Sequence, residues 1–439
     1  MTMISLLLVA LTAPLQVQEE VVAVGPTPHQ RLHDAVSLPT AKARAKAAKA
    51  LAKDRDISLE EWLAVMQGFG IFPDVEVGLQ TVHVPLRIDG KEEETELVLY
   101  VPSAYHAEKA WPLLLLLHGS GGNGMGMART WQAFAEKHGY LLLAPTDPES
   151  GNGYAFRERE RQAGLGALRW MRLQYHIDEN RIHVHGVSRG GHMAWDLGTR
   201  FPDLFASMVP AIGGPTWTLA KGRNNLRMVE NLHRMPIRNL QGAQDDAHLL
   251  RNLRQAFARL KAVGNDQAIL FEFPDLGHSF RTDVVPWPDF FDACLRDPWP
   301  AKVLYRQARK DQPRAAWVRI DRFDKTVDEH FRIEAPPKWA SMTDFERAAY
   351  IQDLADERTA KIEAERQSDG SFRITSEGAS RLMLYLPQEW IPEDGTLSVQ
   401  INGDTRKLKV KSSKTTLLLD FVERFDRTVL PVAEVSIKI

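Results

Sequence analysis

The hydrophobic positions of this chain change period three times. From Arg31 to Gly70 the spacing is helical: Ala41 to Lys53 is mostly alanine and lysine, both strong helix formers. Ser58-Leu59-Glu60-Glu61 then reads as a capping box opening a further helix. From Thr81 the period falls to two. Thr81–Leu86 and Glu96–Pro102 alternate on either side of the Asp89-Gly90 turn, predicting a hairpin. Leu113 to Leu117 is an unbroken run of leucine, which suits a strand buried on both faces, because the glycines that follow end it too early for a helix. Strand patterns recur at Tyr140–Pro145, Arg181–His185, Ala206–Pro210, Ile237–Leu240 and Ala268–Phe273, with helical stretches at Arg157–Tyr175 and Leu249–Val263. That alternation predicts an α/β domain with a largely parallel sheet covered on both faces. Beyond Pro300 short strands are expected at Ala315–Ile320, Thr359–Glu365, Ser371–Thr375, Arg381–Leu386, Leu397–Ile401, Lys407–Val410, Thr415–Leu419 and Val432–Ile439. Turn signals such as Asn402-Gly403 separate them, so a small all-β sandwich is expected there.

Length supports this division, since 439 residues exceed what one compact core usually holds. The expected segments are 1–18 as a signal peptide, 19–75 as a helical extension, 76–300 as the α/β domain and 301–439 as the β-domain. Ile4 to Ala13 is apolar but too short to span a bilayer, and small residues at Ala10 and Ala13 precede a polar stretch; export to the periplasm or medium is the expectation, with a buried N-terminal helix in the cytoplasm as its rival. A net charge of −2 argues against a nucleic-acid partner. The lone cysteine, Cys294, excludes an internal disulfide and a cysteine-rich zinc site.

Candidate chemistry centres on Gly186-Val187-Ser188-Arg189-Gly190-Gly191, with a strand pattern before it and a helical one after. Strand, Gly-x-Ser-x-Gly, helix is the nucleophile elbow, in which glycines make room for a turn that holds the serine hydroxyl out at the sheet edge. The pattern alone arises by chance in roughly one chain in ten of this length, so its partners decide. A serine nucleophile needs a base, a carboxylate to hold that base, and donors for the oxyanion. Asp245 follows the strand ending at Leu240, and His278 follows the one ending at Phe273, so both lie in strand-end loops and in the order Ser, Asp, His. A lone loop aspartate is more often a turn residue, and Asp246 serves equally well as the cap of the next helix. Order and placement together favour catalysis, with Asp245 preferred as the acid. His118-Gly119-Ser120-Gly121-Gly122 after the leucine run suits an oxyanion loop; the assigned donors are the backbone N–H groups of Ser120 and Arg189. His118 precedes the nucleophile and reads as a structural hydrogen-bonder. No phosphate-loop pattern fits these glycines.

With these pieces in view, Thr81 to Pro298 resembles an α/β-hydrolase of the branch that includes polyhydroxybutyrate depolymerase-like, feruloyl esterase-like and prolyl-oligopeptidase-like secreted proteins. Tyr100-Val101-Pro102, Asp178-Glu179-Asn180-Arg181 and Phe201-Pro202-Asp203-Leu204-Phe205-Ala206 add to the likeness. The resemblance implies the α/β-hydrolase fold, a Ser188–His278–Asp245 triad, acyl transfer from a carboxylic ester to water, and neither metal nor cofactor. Arg189 departs from the small or apolar residue of many relatives, and its guanidinium is expected at the pocket rim, where it would attract an anionic group. Two alternatives stand beside the esterase: a secreted peptidase, and a catalytically silent protein holding a polymer. For the second, Trp287, Trp299, Trp317, Trp339 and Trp390 are candidates for stacking on the sugars of a polysaccharide.

Overall fold

The computed structural model describes residues 26–73, 75–147, 153–216, 224–309 and 314–439. The apolar run Ile4–Ala13 lies outside them, and among the described residues no helix is long and apolar enough to cross a membrane. The leucine run is strand β3 (Trp111–Leu117), preceded by a hairpin of β1 (Gly78–Ile88) and β2 (Lys91–Val101) and followed by α4 (Gly124–His138) and β4 (Leu141–Pro145). Then come α5 (Glu158–Gln174), β5 (Ile177–Val187), α6 (Arg189–Arg200), β6 (Ser207–Ala211), β7 (Ile237–Gly242), α7 (Ala247–Ala262), β8 (Ala268–Phe273) and α8 (Trp287–Ala293). The strands form one eight-stranded sheet in the order β1-β2-β4-β3-β5-β6-β7-β8. β1, β2 and β4 pair antiparallel, and every pair from β4–β3 onward is parallel.

The leucine run shows why the sheet is central. Leu113, Leu115 and Leu117 point into a core with Ala163, Ala167 and Met171 of α5 and Met193 and Leu197 of α6. Leu114 and Leu116 point to the other face, against Ala128, Trp131 and Ala135 of α4 and Phe290 and Phe291 of α8. A period of two thus supplies both cores from one strand, each buried leucine stabilising the fold by about 2 kcal/mol.

After α8, strands β9 (Lys302–Gln307), β10 (Val318–Phe323), β11 (Ala360–Arg366), β12 (Phe372–Glu377), β13 (Ala379–Leu386), β14 (Thr396–Ile401), β15 (Asp404–Lys409) and β16 (Ala433–Lys438) make two sheets. One has three strands, β10-β13-β16, and the other five, β15-β14-β12-β11-β9. They share one hydrophobic core, with Val318, Leu384 and Val435 from the first and Tyr305, Ile362, Phe372 and Val399 from the second. The expected sandwich is therefore present, with two corrections. Thr415–Leu419 is not a strand but part of helix α10 (Lys414–Arg424), and β9 was not anticipated. A further helix, α9 (Asp344–Glu357), also lies in this region.

The N-terminal helices α1 (Pro28–Ser37), α2 (Ala41–Leu51) and α3 (Leu59–Gln67) include the expected capping box at Ser58 and Glu61. They bury Leu32, Val36, Trp62, Met66 and Phe69 against Leu417, Leu418, Phe421 and Phe425 of the α10 region. Residues from the two ends of the chain thus share one core.

Candidate active site

β5 ends at Val187 and α6 begins at Arg189, which leaves one residue for the reversal. That residue, Ser188, has φ 54° and ψ −112°, a conformation that costs a non-glycine residue of order 1–3 kcal/mol and must be imposed by its surroundings. The neighbours explain how. A Cβ on Gly186 would lie 2.0 Å from the Gly190 carbonyl oxygen, and one on Gly190 would lie 2.0 Å from that of Leu117. Neither position accepts a side chain, so the turn can press against β3. The Ser188 N–H donates to the Ala211 carbonyl at 2.8 Å, pinning the elbow to β6.

Asp245 and His278 arrive from neighbouring strands. β7 ends at Gly242 and β8 at Phe273, and the loops beyond them are laced together: Ala243 N–H donates to Phe273 O at 2.9 Å and Gln244 N–H to Leu276 O at 2.8 Å. The contact is so close that a Cβ on Gly242 would meet the Gly277 oxygen at 1.9 Å. His278 Nδ1–H donates to Asp245 Oδ2 at 2.8 Å, which leaves Nε2 to accept the Ser188 hydroxyl at 2.9 Å. The His278 side chain is 53% exposed, whereas that of Asp245 is 9% exposed. Burial pushes the Asp245 carboxyl up, but hydrogen bonds from the Asp246 N–H, His278 and Gln241 outweigh it and hold the group below its ordinary value. Asp246 is the cap of α7: its Oδ1 accepts from the N–H groups of His248 and Leu249 at 2.9 Å each.

A strained serine elbow between strand and helix, set in this strand order, decides the architecture. The chain has the α/β-hydrolase fold. In this fold the mouth at Ser188 opens into a cavity of about 400 Å³ lined by Tyr154, Phe156, His192, Thr216, Leu249 and Asn252, with Ser120 and Arg189 also in its lining. The described residues lining it all come from 120–278. A larger cavity of about 550 Å³ lies elsewhere, where the residues leading into β6, β7 and β8 meet β9; among the described residues its lining includes His233, Arg234 and Asp297 but no serine, threonine, cysteine, tyrosine or lysine.

On the side of β3, a Cβ on Gly119 would sit 3.5 Å from the Ser188 Cβ, so the loop after β3 abuts Ser188. Arg189 is the first residue of α6, and its N–H therefore has no acceptor within the helix. His118 is buried and structural: Nδ1–H donates to Gly119 O at 2.8 Å and Nε2 accepts from the Asp147 N–H at 3.0 Å. Burial lowers its pKa.

One expectation is corrected by this geometry. The Arg189 guanidinium is not a rim cation. Its side chain is 2% exposed, and Nη2 donates to Asp147 Oδ2 and Glu160 Oε1 at 2.8 Å each, so its charge is met inside the protein. Of the five tryptophans, one is in the core and four are partly exposed with neighbours on one side. Trp317 is fully buried, Trp287 stacks on Phe291, Trp299 packs on Trp390, Trp390 is covered by Arg366, and Trp339 lies between Tyr350 and Arg347. Sequence reasoning missed Gln241, whose Nε2 donates to Asp245 Oδ2 at 2.7 Å, and also Glu160, Asp147, Tyr154 and Phe156. Only Gln241 carried a signal, as the polar penultimate residue of the strand leading to the acid.

No family model matches the chain. Its sequence is 35% identical over 128 residues to a poly(3-hydroxybutyrate) depolymerase of Ralstonia pickettii, covering 24% of this chain and 26% of that protein. It is 26% identical over 132 residues to poly(3-hydroxyalkanoate) depolymerase C of Paucimonas lemoignei, covering 27% and 31% respectively. The matched stretch thus spans between a quarter and a third of these relatives. Among solved structures, a thermostable esterase superposes with a TM-score of 0.39 at 22% identity, covering 48% of this chain and 60% of that one.

Proposed function

We propose that this protein is a serine hydrolase that cleaves a carboxylic ester through an acyl-enzyme. The observation that carries the reading is the hydrogen-bonded series from the strained Ser188 through His278 to Asp245. In that arrangement the Ser188 hydroxyl attacks the ester carbonyl while His278 Nε2 takes its proton, and Asp245 fixes the imidazole tautomer and stabilises the imidazolium. The tetrahedral oxyanion is received by the backbone N–H groups of Ser120 and Arg189. His278 then gives its proton to the leaving alcohol, and a water deprotonated by the same nitrogen releases the acid. None of these steps requires a metal or an organic cofactor.

An ester is favoured over a peptide because the relatives matched in sequence are named as depolymerases of hydroxyalkanoate polyesters, although only part of each is matched. Export fits the apolar run Ile4–Ala13. We take residues 76–300 as the catalytic domain and 301–439 as an accessory domain, since the described cavity lining comes from the first alone. Replacing Ser188 by alanine is the direct test. Hydrolysis of a short-chain p-nitrophenyl ester should fall to the level catalysed by the emptied site, a loss of about 10⁴-fold or more in kcat. An unchanged rate would remove Ser188 from the mechanism, and a preference for aminoacyl anilides in the wild type would make the enzyme a peptidase.

A further inference from the structure

Glu160 lies on α5, far in sequence from the triad, yet it joins three parts of the site. Its side chain is 1% exposed and its Oε1 meets the Arg189 guanidinium at 2.8 Å. The same carboxylate accepts from the Ala155 N–H at 3.1 and 3.2 Å and from the Arg157 N–H at 2.9 Å. It therefore also holds the loop that supplies Tyr154 and Phe156 to the cavity wall, where Phe156 itself has φ 57°. Asp147, the second carboxylate on Arg189, donates its N–H to His118 Nε2, and His118 Nδ1 bonds the carbonyl of Gly119, the residue before Ser120. Both assigned oxyanion donors thus hang from one buried charge cluster, Arg189 through its own side chain and Ser120 through His118 and Gly119.

Stability alone does not account for such a cluster. Desolvating a guanidinium and two carboxylates is expensive, and apolar residues of similar volume are commonly as stabilising. Geometric definition is what charge-assisted hydrogen bonds provide and apolar packing does not. Oxyanion stabilisation demands it, because the donors act only when aimed at the place where charge develops.

We infer that Glu160 is a positioning residue for the oxyanion hole, acting through the Arg189 side chain to fix the Arg189 N–H while holding the Tyr154–Phe156 wall. The inference rests on the serine-hydrolase reading above. Its test compares the wild type with Glu160→Gln, which keeps the shape and a carbonyl acceptor for the loop, with Arg189→Met, and with the double variant. Rates are taken per titrated active site, so that any misfolded fraction drops out. Removing an oxyanion donor outright costs about 10²–10³-fold in kcat, so displacing one should cost about 10-fold or more. KM should stay within about threefold, because ground-state binding does not use the donor fully. The inhibition constant of a trifluoromethyl ketone matched to the substrate, whose adduct carries the oxyanion, should weaken in parallel with kcat. The double variant should be no worse than Arg189→Met, because the two residues act in series.

If Glu160→Gln and Arg189→Met keep kcat within about twofold, or if KM carries the loss while ketone affinity holds, the positioning role is wrong. Should either variant fail to fold, Arg189→Lys keeps the charge but ends short of the Nη2 position that meets both carboxylates, and it must show the same kcat-specific loss. A wild type whose activity survives Ser188→Ala would instead overturn the hydrolase reading. Ser188-dependent activity indifferent to Glu160 would overturn only this inference.

Discussion

Ser188, Asp245 and His278 come from three separate loops, and each is held by bonds that leave little choice of geometry. Asp245 illustrates the point: both carboxylate oxygens are engaged, Oδ1 by the Asp246 N–H at 2.8 Å and Oδ2 by His278 and Gln241. Because these bonds lower its pKa from 3.8, the stability they contribute is complete above about pH 4 and is lost only as pH falls through the lower native value. The aspartates at 245 and 246 should therefore separate cleanly. Asp245→Ala should lower kcat by about 10³–10⁴-fold and also cost about 1–3 kcal/mol of stability, because the Gln241 amide and the Asp246 N–H lose their acceptor, whereas Asp246→Ala should cost about 1 kcal/mol as a lost helix cap and leave kcat nearly intact. Paired kinetics and melting curves check this; an equal loss of kcat in both would contradict the assignment. Ser188, Asp245 and His278 were legible in the sequence as candidates because each follows a recognisable strand. Glu160 and Asp147 were not, since they reach Arg189 from elements whose spacing in the chain carries no sign of their meeting.

Strands and helices were legible wherever the hydrophobic period ran long enough to count. β3 was read correctly because glycines truncate it, and its burial on both faces follows from the leucine run. α10 was misread because Thr415 to Leu419 taken alone is rich in β-branched and apolar residues. Over the whole element Leu417, Leu418, Phe421, Val422 and Phe425 fall on one helical face, and Ser413 caps the start by accepting from Thr416 N–H. β5 has a consequence of its own. Burial pulls the pKa of His183 down to about 3 and that of His185 down to about 4. Unfolding lets both take up protons near the ordinary value of 6.5, so their effect on stability is absent above that pH and grows steadily unfavourable as pH falls toward 4. Each contributes a slope of up to about 1.4 kcal/mol per pH unit in that window. His185→Gln should flatten the fall of stability between pH 6.5 and 4 by up to about one proton's worth, measured by denaturant titration across pH. An unaltered slope would mean that His185 already carries its proton in the folded state.

Across the whole molecule, burial and charge tie distant parts of the chain to the eight-stranded sheet. Arg296 beyond α8 holds Asp426 at 2.6 Å, Arg424 of α10 holds Asp203 at 2.6 Å, and Arg427 holds Glu179, the residue before Asn180 in β5, at 2.6 Å. These pairs join segments more than a hundred residues apart, and so they could not be read from sequence, whereas the sandwich and the helical extension could be read from local pattern. The mouth of the cavity at Ser188 is left to the loops of residues 120–278 among those described. The central claim is that these loops present an activated serine. Labelling of the purified protein by a fluorophosphonate, located by peptide mass spectrometry with Ser188→Ala alongside, tests it most directly. Modification of Ser188 in the wild type, and none in the folded variant, is the expected result. A folded wild type that stays unlabelled, or a label carried elsewhere and retained by the variant, would contradict it.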